Sequence, residues 1–396
     1  MAIRPETRGN QMKINPYIEQ QSDELIRLRR HFHQYPELSM QEYKTARKIE
    51  EELQAAGIPT QRIGETGVLG TIRGGSQYGP KIVLRADTDA LGIQDAKTVP
   101  YASLVSGVMH ACGHDAHTAA LIGAAKALAA QKSSLPGEVA LVFQPGEEYG
   151  QGADAFLQAG VMKGAARTFA IHMDSSFPAG QIALSPEVTN ASVDHFIITI
   201  HGKSAHVSVP EQGTDALYIA SQTVIALQAI VSRLTNPRDP VVVGIGVLHA
   251  GDAYNIVAGT ATIEGTIRCL SPETRTFVKQ KLREIAEKTS KIYGGTAEVT
   301  LEDFASPVVN NQEVYQEIRE IAAGIVGPEN LRFKAPSMGG DNFSEFLKKT
   351  PGLYAYIGSS NPEKPSTTLP HHTNLFDIDE QAILIAASLY TEAALL

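Results

Sequence analysis

Apolar positions recur along this chain in two rhythms. Tyr43, Ala46, Ile49, Leu53 and Ala56 return every three or four residues, as on a helix with one buried face, and Gly57 is a natural stop. Short β-rich runs follow at 68–73, 81–86, 138–143 and 168–172, and an Ala-rich helix over 114–130 separates the middle two. Alternation of this kind predicts an α/β domain with a mainly parallel sheet.

The pattern changes near Ser185-Pro186. From there the chain reads as strand 194–201, helix 214–234, strand 240–249, strand 257–270, helix 271–293 and strand 296–304. Ser271 followed by Pro272 suits a helix start, and Gly294-Gly295 suits its end. The order β-α-β-β-α-β is ferredoxin-like. Beyond Pro307 the first style returns, with a helix over 311–323, a strand over 353–358 and a final helix from near Asp379. The expected architecture is an α/β domain over 1–186 and 305–396, carrying an inserted α+β ferredoxin-like domain over 187–304.

Composition narrows the classes. A chain of 396 residues exceeds what one hydrophobic core usually supports. With 43% hydrophobic and 19% charged residues it is an ordinary globular sequence. No unbroken apolar run approaches the ~18 residues of a membrane span, and residues 1–10 lack the apolar core of a signal peptide. A cytoplasmic protein is expected, without membrane attachment. The net charge of −9 argues against nucleic-acid binding. Two cysteines, Cys112 and Cys269, exclude a disulfide scaffold and suit a reducing compartment.

Candidate chemistry gathers at loops after the expected strands, where open α/β sheets bind ligands. Met109-His110-Ala111-Cys112-Gly113-His114-Asp115-Ala116-His117 is the densest cluster. A thiolate and an imidazole two residues apart can bind one metal or straddle two, and a buried cysteine beside capping residues is the plainer reading. In Gln144-Pro145-Gly146-Glu147-Glu148, adjacent carboxylates diverge, so one can ligate while the other moves protons. Alone, that stretch reads rather as a solvated acidic turn. His172 ends an apolar run, and His371-His372 precedes the last helix. Singly, each reads as surface or satisfied polarity. Arg85-Ala86-Asp87-Thr88-Asp89 could orient a ligand. Together these residues form a donor set suited to Zn, Mn, Co or Ni. In the insert, His206 lies in a polar loop, while Asn255 and Arg268 flank a strand. Arg offers a planar fork for a carboxylate.

With these motifs in order, the chain resembles the two-metal aminoacylase and amidohydrolase family of hippurate hydrolases, N-acetyl-amino-acid deacetylases and auxin-conjugate hydrolases. The matching stretches include Arg29-Arg30-His31-Phe32-His33-Gln34-Tyr35-Pro36-Glu37-Leu38-Ser39, then 84–91, 109–117, 143–148, 170–172, 202–210, 265–268 and 372–380. The resemblance implies that the insert is a lid and often a dimerisation surface. It implies that Cys112 bridges two divalent ions, with His114 and His172 completing one site and Glu148 and His372 the other. Glu147 would be the general base and Asp87 a neighbour supporting the ligands. His206 would reach the reacting carbonyl oxygen, from either subunit, and Asn255 with Arg268 would hold the substrate carboxylate. Arg85 and Cys112 stand where dipeptidase relatives carry His and Asp, which matches the amidohydrolase branch. One departure is Asn342, in Met338-Gly339-Gly340-Asp341-Asn342-Phe343, where the family usually has Asp.

The implied reaction is amide hydrolysis of a small N-acyl-L-amino acid by a homo-oligomer, dimer or tetramer. Two ions would bring a water towards pKa ~7 for attack on the amide, with Glu147 shuttling its proton. A dipeptidase or carboxypeptidase on the same two-metal site is the alternative. A thiol hydrolase built on Cys112 would leave the glutamate pair and the distant histidines unused, and a non-catalytic binding protein would have lost Glu147.

Overall fold

The computed structural model describes residues 12–76 and 79–396. The chain forms two compact units. One runs through Thr189 and resumes at Val309–Ala335 and Asn342–Leu396; the other comprises Asn190–Val308 and Pro336–Asp341. No sequence pattern marks the short return of residues 336–341. It joins the second unit because the carbonyls of Ser337 and Gly339 take the Ala191 N–H, at 3.1 and 2.9 Å.

The first unit is mixed α/β. Its eight-stranded sheet runs Thr60–Ile63, Gly67–Arg73, Glu138–Gln144, Lys81–Asp87, Ala165–Pro178, Gly352–Ser360, Ile182–Leu184, Leu331–Phe333. The strand Lys81–Asp87 pairs parallel with both neighbours, and Gly352–Ser360 pairs parallel with Ala165–Pro178. The Thr60–Ile63 and Gly67–Arg73 edge is antiparallel. Gly352–Ser360 is buried at every position, and Lys81–Asp87 at all but the first. Strands covered on both faces read as apolar runs, which is why they stood out in the sequence. Register aligns their carboxyl ends: Asp87 faces Gln144, and Arg85 faces Ala170, two residues before His172.

The helix His114–Ala130 has nearly every side buried, including Leu121, Ile122 and Leu128. Its eight Ala residues and its single Gly permit close packing. A Cβ on Gly123 would lie 2.8 Å from the Leu25 methyls of the helix Ser22–Gln34. Each fully buried Leu or Ile contributes roughly 1.5–3 kcal/mol.

The second unit has a four-stranded antiparallel sheet in the order Thr296–Ala305, Val193–His201, Thr260–Cys269, Val241–Ala250. The helices Ala216–Leu227 and Pro272–Ile292 pack on it around Phe196, Ile219, Ile263 and Leu282. Asp215 and Ser271 cap them, each accepting main-chain N–H bonds. Two expected elements are shorter than read. The helix over 214–234 relaxes after Leu227 into a wide turn at Ile230–Leu234. The strand over 257–270 begins only at Thr260, because loop partners take the neighbouring main chain: Val257 N–H donates to Ala205 O. By length and composition alone, Ala216–Leu234 is long and apolar enough to cross a membrane. Reading unbroken runs misses it because Ser221, Gln222 and Gln228 interrupt the apolar residues. Ile219, Ala220 and Leu227 pack inward, while Leu217, Tyr218 and Ile225 are exposed.

Candidate metal centre

Four stretches of the first unit deliver ligand-type side chains to one place. Gly113, at φ 92°, turns the chain so that His114 opens the buried helix just after Cys112. Glu147 and Glu148 form a single tight turn, Glu147–Tyr149, between left-handed Gly146 and Gly150. His172 lies within Ala165–Pro178. His372 sits at φ 63°, rare for a residue with a side chain, and its N–H donates to Ala111 O at 2.8 Å.

Cys112 Sγ lies 3.5 Å from His172 Nε2 and 3.4 Å from His372 Nε2. Glu148 Oε1 lies 3.3 Å from His372 Nε2 and 3.9 Å from His114 Nε2. The ligand atoms of Cys112, His114 and His172 fall within 4.8 Å of one another, as do those of Cys112, Glu148 and His372. These two triads share the sulfur. His114 with Glu147 and Glu148, and Asp87 with His114 and His117, meet the same measure. A tetrahedral ion with ~2.3 Å bonds to sulfur and ~2.05 Å bonds to nitrogen has those atoms ~3.5 Å apart, close to the spacings here.

Hydrogen bonds orient the rings. His114 Nδ1 donates to Asp89, 3.0 Å from its carbonyl and 3.2 Å from Oδ1. His172 Nδ1 donates to Met173 O at 2.6 Å. Both rings therefore turn an Nε2 lone pair towards the cluster, as metal ligands do. His114 Nε2 and Glu148 Oε1 are buried and have no hydrogen-bond partner. Such atoms are costly unless something satisfies them, and a cation would. Burial pushes the Cys112 thiol well above its usual range, and the Glu148 charge adds to this. Burial would lower His114, but the Asp87 charge and the hydrogen bond to Asp89 outweigh it and hold that ring well above the ordinary histidine range. Burial drives His172 well below that range, aided by His117 and His371. A divalent cation would displace protons from the first two groups and leave a thiolate. The donor set fits a divalent ion.

Asp87 lies beside the cluster, 3.8 Å from His114 Nε2. Its shortest contacts are elsewhere: His117 Nδ1 at 2.6 Å and Arg85 at 2.8 Å. Asn342 is buried in the same network. Its Oδ1 accepts from Gln144 at 2.8 Å and Arg85 at 3.1 Å, while Nδ2 donates to Gln151 O at 2.7 Å. An aspartate could not make that last bond, so Asn suits this position.

The second unit carries the other three residues and brings two of them together. His206 and Asn255 are neighbours: His206 pairs with Ile256, and Val207 N–H donates to Asn255 O at 3.1 Å. His206 is exposed, and its Nδ1 accepts the Ser208 N–H at 3.1 Å, so the neutral ring carries its proton on Nε2. Arg268 lies towards the far end of Thr260–Cys269, opposite Val242, with its Nε donating to Thr266 Oγ1 at 3.0 Å. At ~3.3 Å per residue, the rise from Thr260 to Arg268 is about 26 Å.

Sequence reasoning missed several residues. Asp89 holds His114 and also accepts the Glu148 N–H at 3.0 Å. His117 links Asp87 to Met173, whose N–H it accepts at 2.9 Å. His371 Nδ1 donates to Cys112 O at 3.2 Å. Arg29 is fully buried between Asp115 and Asp377, 2.8 Å from each. Arg29, Asp89, His117 and His371 all lay within quoted motifs without an assigned role in the site, and only the fold reveals their partners.

Comparison with known proteins agrees with this geometry. The description peptidase family M20/M25/M40 matches residues 83–396, and the chain belongs to that family. Thermostable carboxypeptidase 1 of Saccharolobus solfataricus is 38% identical over 380 residues, covering 95% of each chain. N-acetyl-L-cysteine deacetylase of Bacillus subtilis is 37% identical, covering 94% of this chain and 87% of its own. The crystal structure of the Bacillus subtilis YXEP protein, described as a dinuclear metal binding peptidase from the M20 family, superposes with a TM-score of 0.83. It is 34% identical and covers 95% of this chain and 98% of its own. This chain is a hydrolase of that family, and its fold is the family's.

Proposed function

We propose that the protein is a two-metal amidohydrolase that splits N-acyl-L-amino acids into a carboxylic acid and an amino acid. The observation that carries this reading is the pair of ligand triads sharing Cys112, with Glu147 beside Glu148 at their edge. Cys112, His114 and His172 would hold one ion, and Cys112, Glu148 and His372 the other. The ions, Zn, Mn, Co or Ni, supply charge that polarises the amide carbonyl and makes water a usable nucleophile at neutral pH. Glu147 accepts the proton of the attacking water and returns it to the departing amine nitrogen. The His206 Nε2–H donates to the oxyanion, and Arg268 grips the substrate carboxylate, which fixes the amide for attack. The deacetylase relative supports an N-acyl substrate. A cytoplasmic location suits a site built on a reduced thiol.

His206 and Asn255 lie in loops beyond the Thr260 end of the strand, whereas Arg268 lies near its other end, about 26 Å along it from Thr260. We infer a homodimer in which a second copy supplies His206 and Asn255. The second unit has two features that suit such an interface: Val241–Ala250 is an edge strand, and Leu217, Tyr218 and Ile225 are exposed on one helix.

The carboxypeptidase relative favours a second reading, cleavage of a C-terminal residue by the same centre. One experiment separates the two. Amine release is measured from N-acetyl-L-amino acids, hippurate and unblocked dipeptides, before and after metal removal and after adding back each ion. Metal-dependent release mainly from N-acyl compounds supports the amidohydrolase. A preference for unblocked peptides supports the peptidase, and activity surviving complete metal removal overturns both.

A further inference from the structure

We propose that Glu42, remote in sequence from every ligand, is a positioning residue that sets the Glu147–Tyr149 turn. The inference rests on the hydrolase reading of that turn. Residues 35–42 form a strap between the helices Ser22–Gln34 and Tyr43–Ala55. The strap is fastened along its length. Ala90 N–H donates to Glu37 O at 2.9 Å, and Ser39 Oγ donates to Asp89 Oδ2 at 2.7 Å. At its end Glu42 is wholly buried, and one oxygen, Oε1, accepts two main-chain N–H groups, from Met40 and Gly146, each at 2.9 Å.

Those two partners are both left-handed, Met40 at φ 62° and Gly146 at φ 69°. Met40 has a side chain, so its conformation is disfavoured unless its surroundings hold it. The two residues also meet directly. A Cβ on Gly146 would lie 2.6 Å from Met40 Sδ and push that side chain aside, so glycine leaves the close approach undisturbed. Gly146 is the residue immediately before Glu147, and its backbone angles set where the tight turn begins. A second fastening follows, because the Asp89 Oδ2 that receives Ser39 also receives the Glu148 N–H. The strap thus holds the glutamate pair at both ends, through Gly146 and through Glu148. Glu42 bonds the amide of the residue just before the glutamate pair. It acts through the main chain, and what it needs is an acceptor oxygen.

This sets the test. Glu42→Gln keeps an acceptor and Glu42→Met fills similar space without one. With saturating metal and the best N-acyl substrate, Glu42→Met should lower kcat about tenfold or more and leave KM within about twofold, while Glu42→Gln restores kcat. Hydrogen exchange of the Gly146 amide gives a readout free of activity. It should be protected in the wild type and in Glu42→Gln, and exchange about tenfold or more faster in Glu42→Met. Equal kcat in all three proteins, or equal loss in both variants, overturns the proposal. So does an unprotected Gly146 amide in the wild type, a measurement that needs no variant to fold. If the wild type cleaves no amide, the exchange result still decides the role of Glu42, and the functional reading alone fails.

Discussion

Arg29 offers the most demanding test of how the first unit holds its site. The guanidinium is fully buried, 2.8 Å from Asp115 Oδ2, 2.8 Å from Asp377 Oδ1 and 3.5 Å from Glu380 Oε1. Replacing it with Met leaves two buried carboxylates without their main counter-charge. Breaking a buried pair in this way costs about 3–5 kcal/mol. Roughly 270 residues in this unit, at ~2.1 cal/mol/K each, give an unfolding entropy of ~570 cal/mol/K. The expected fall in Tm is therefore about 5–9 °C. Its pH dependence has a definite sign. Burial alone would lift the Asp115 carboxyl, but Arg29 and then His33 hold it well below the usual range. In the wild type that stabilisation is present above the unfolded pKa of ~3.9 and is lost as pH falls through the depressed native value. In Arg29→Met, burial acts with less opposition, so lowering the pH towards ~4 neutralises Asp115 and relieves the cost. Calorimetric scans of both proteins from about pH 7 to 4 should show the gap narrowing. A Tm change under about 2 °C at neutral pH, or a gap that widens on acidification, would refute the reasoning. Metal affinity should fall as well, since Asp115 adjoins His114 and Asp377 follows the His372 loop.

Glu147→Ala should lower turnover about 10²–10⁴-fold while two metal equivalents remain bound, measured by steady-state kinetics and elemental analysis; loss of the metals would reassign Glu147 as a ligand. Mixing Glu147→Ala with His206→Ala should restore about a quarter of wild-type activity, because half the dimers are mixed and each has one intact pairing; no recovery after verified subunit exchange would make each chain self-sufficient. Burial, with Asp89 adding, lifts Glu42 to about 7. Below the unfolded value of ~4.5 its contribution to stability is full, and it declines as pH rises through the native value. Glu42→Gln, which cannot ionise, should gain on the wild type by about 3 kcal/mol between pH ~5 and ~8, and a constant difference across that range in denaturant titrations would contradict this sign.

Much of the sheet was legible because its central strands are buried on both faces and appear as apolar runs. The inserted element order was legible for a different reason: Ser271-Pro272 and Gly294-Gly295 punctuate it. The helix Ser22–Gln34 escaped the periodicity because its inner face carries Arg29 and His33 beside Leu25 and Phe32. A charge that is buried and paired looks like surface in a sequence. Ligand types were legible as short motifs after strands, whereas the residues that aim them were not. Asp89 holds His114 across twenty-five positions, and Glu42 reaches Gly146 across one hundred and four. Contacts of that span follow from topology and leave no local mark. That Asn255 lies in a loop beside His206, while Arg268 lies near the far end of Thr260–Cys269, was equally hidden.

The buried helix His114–Ala130 has an evolutionary consequence. Surface helices absorb neutral change on their wet side, and this one has almost no wet side. Adaptation to salt, temperature or new partners must therefore be written elsewhere in the chain. Enlarging Gly123 would press on the buried Leu25 of the helix Ser22–Gln34. The helix that presents His114 is thus insulated from drift on the surface, and divergence falls to the loops and to the second unit.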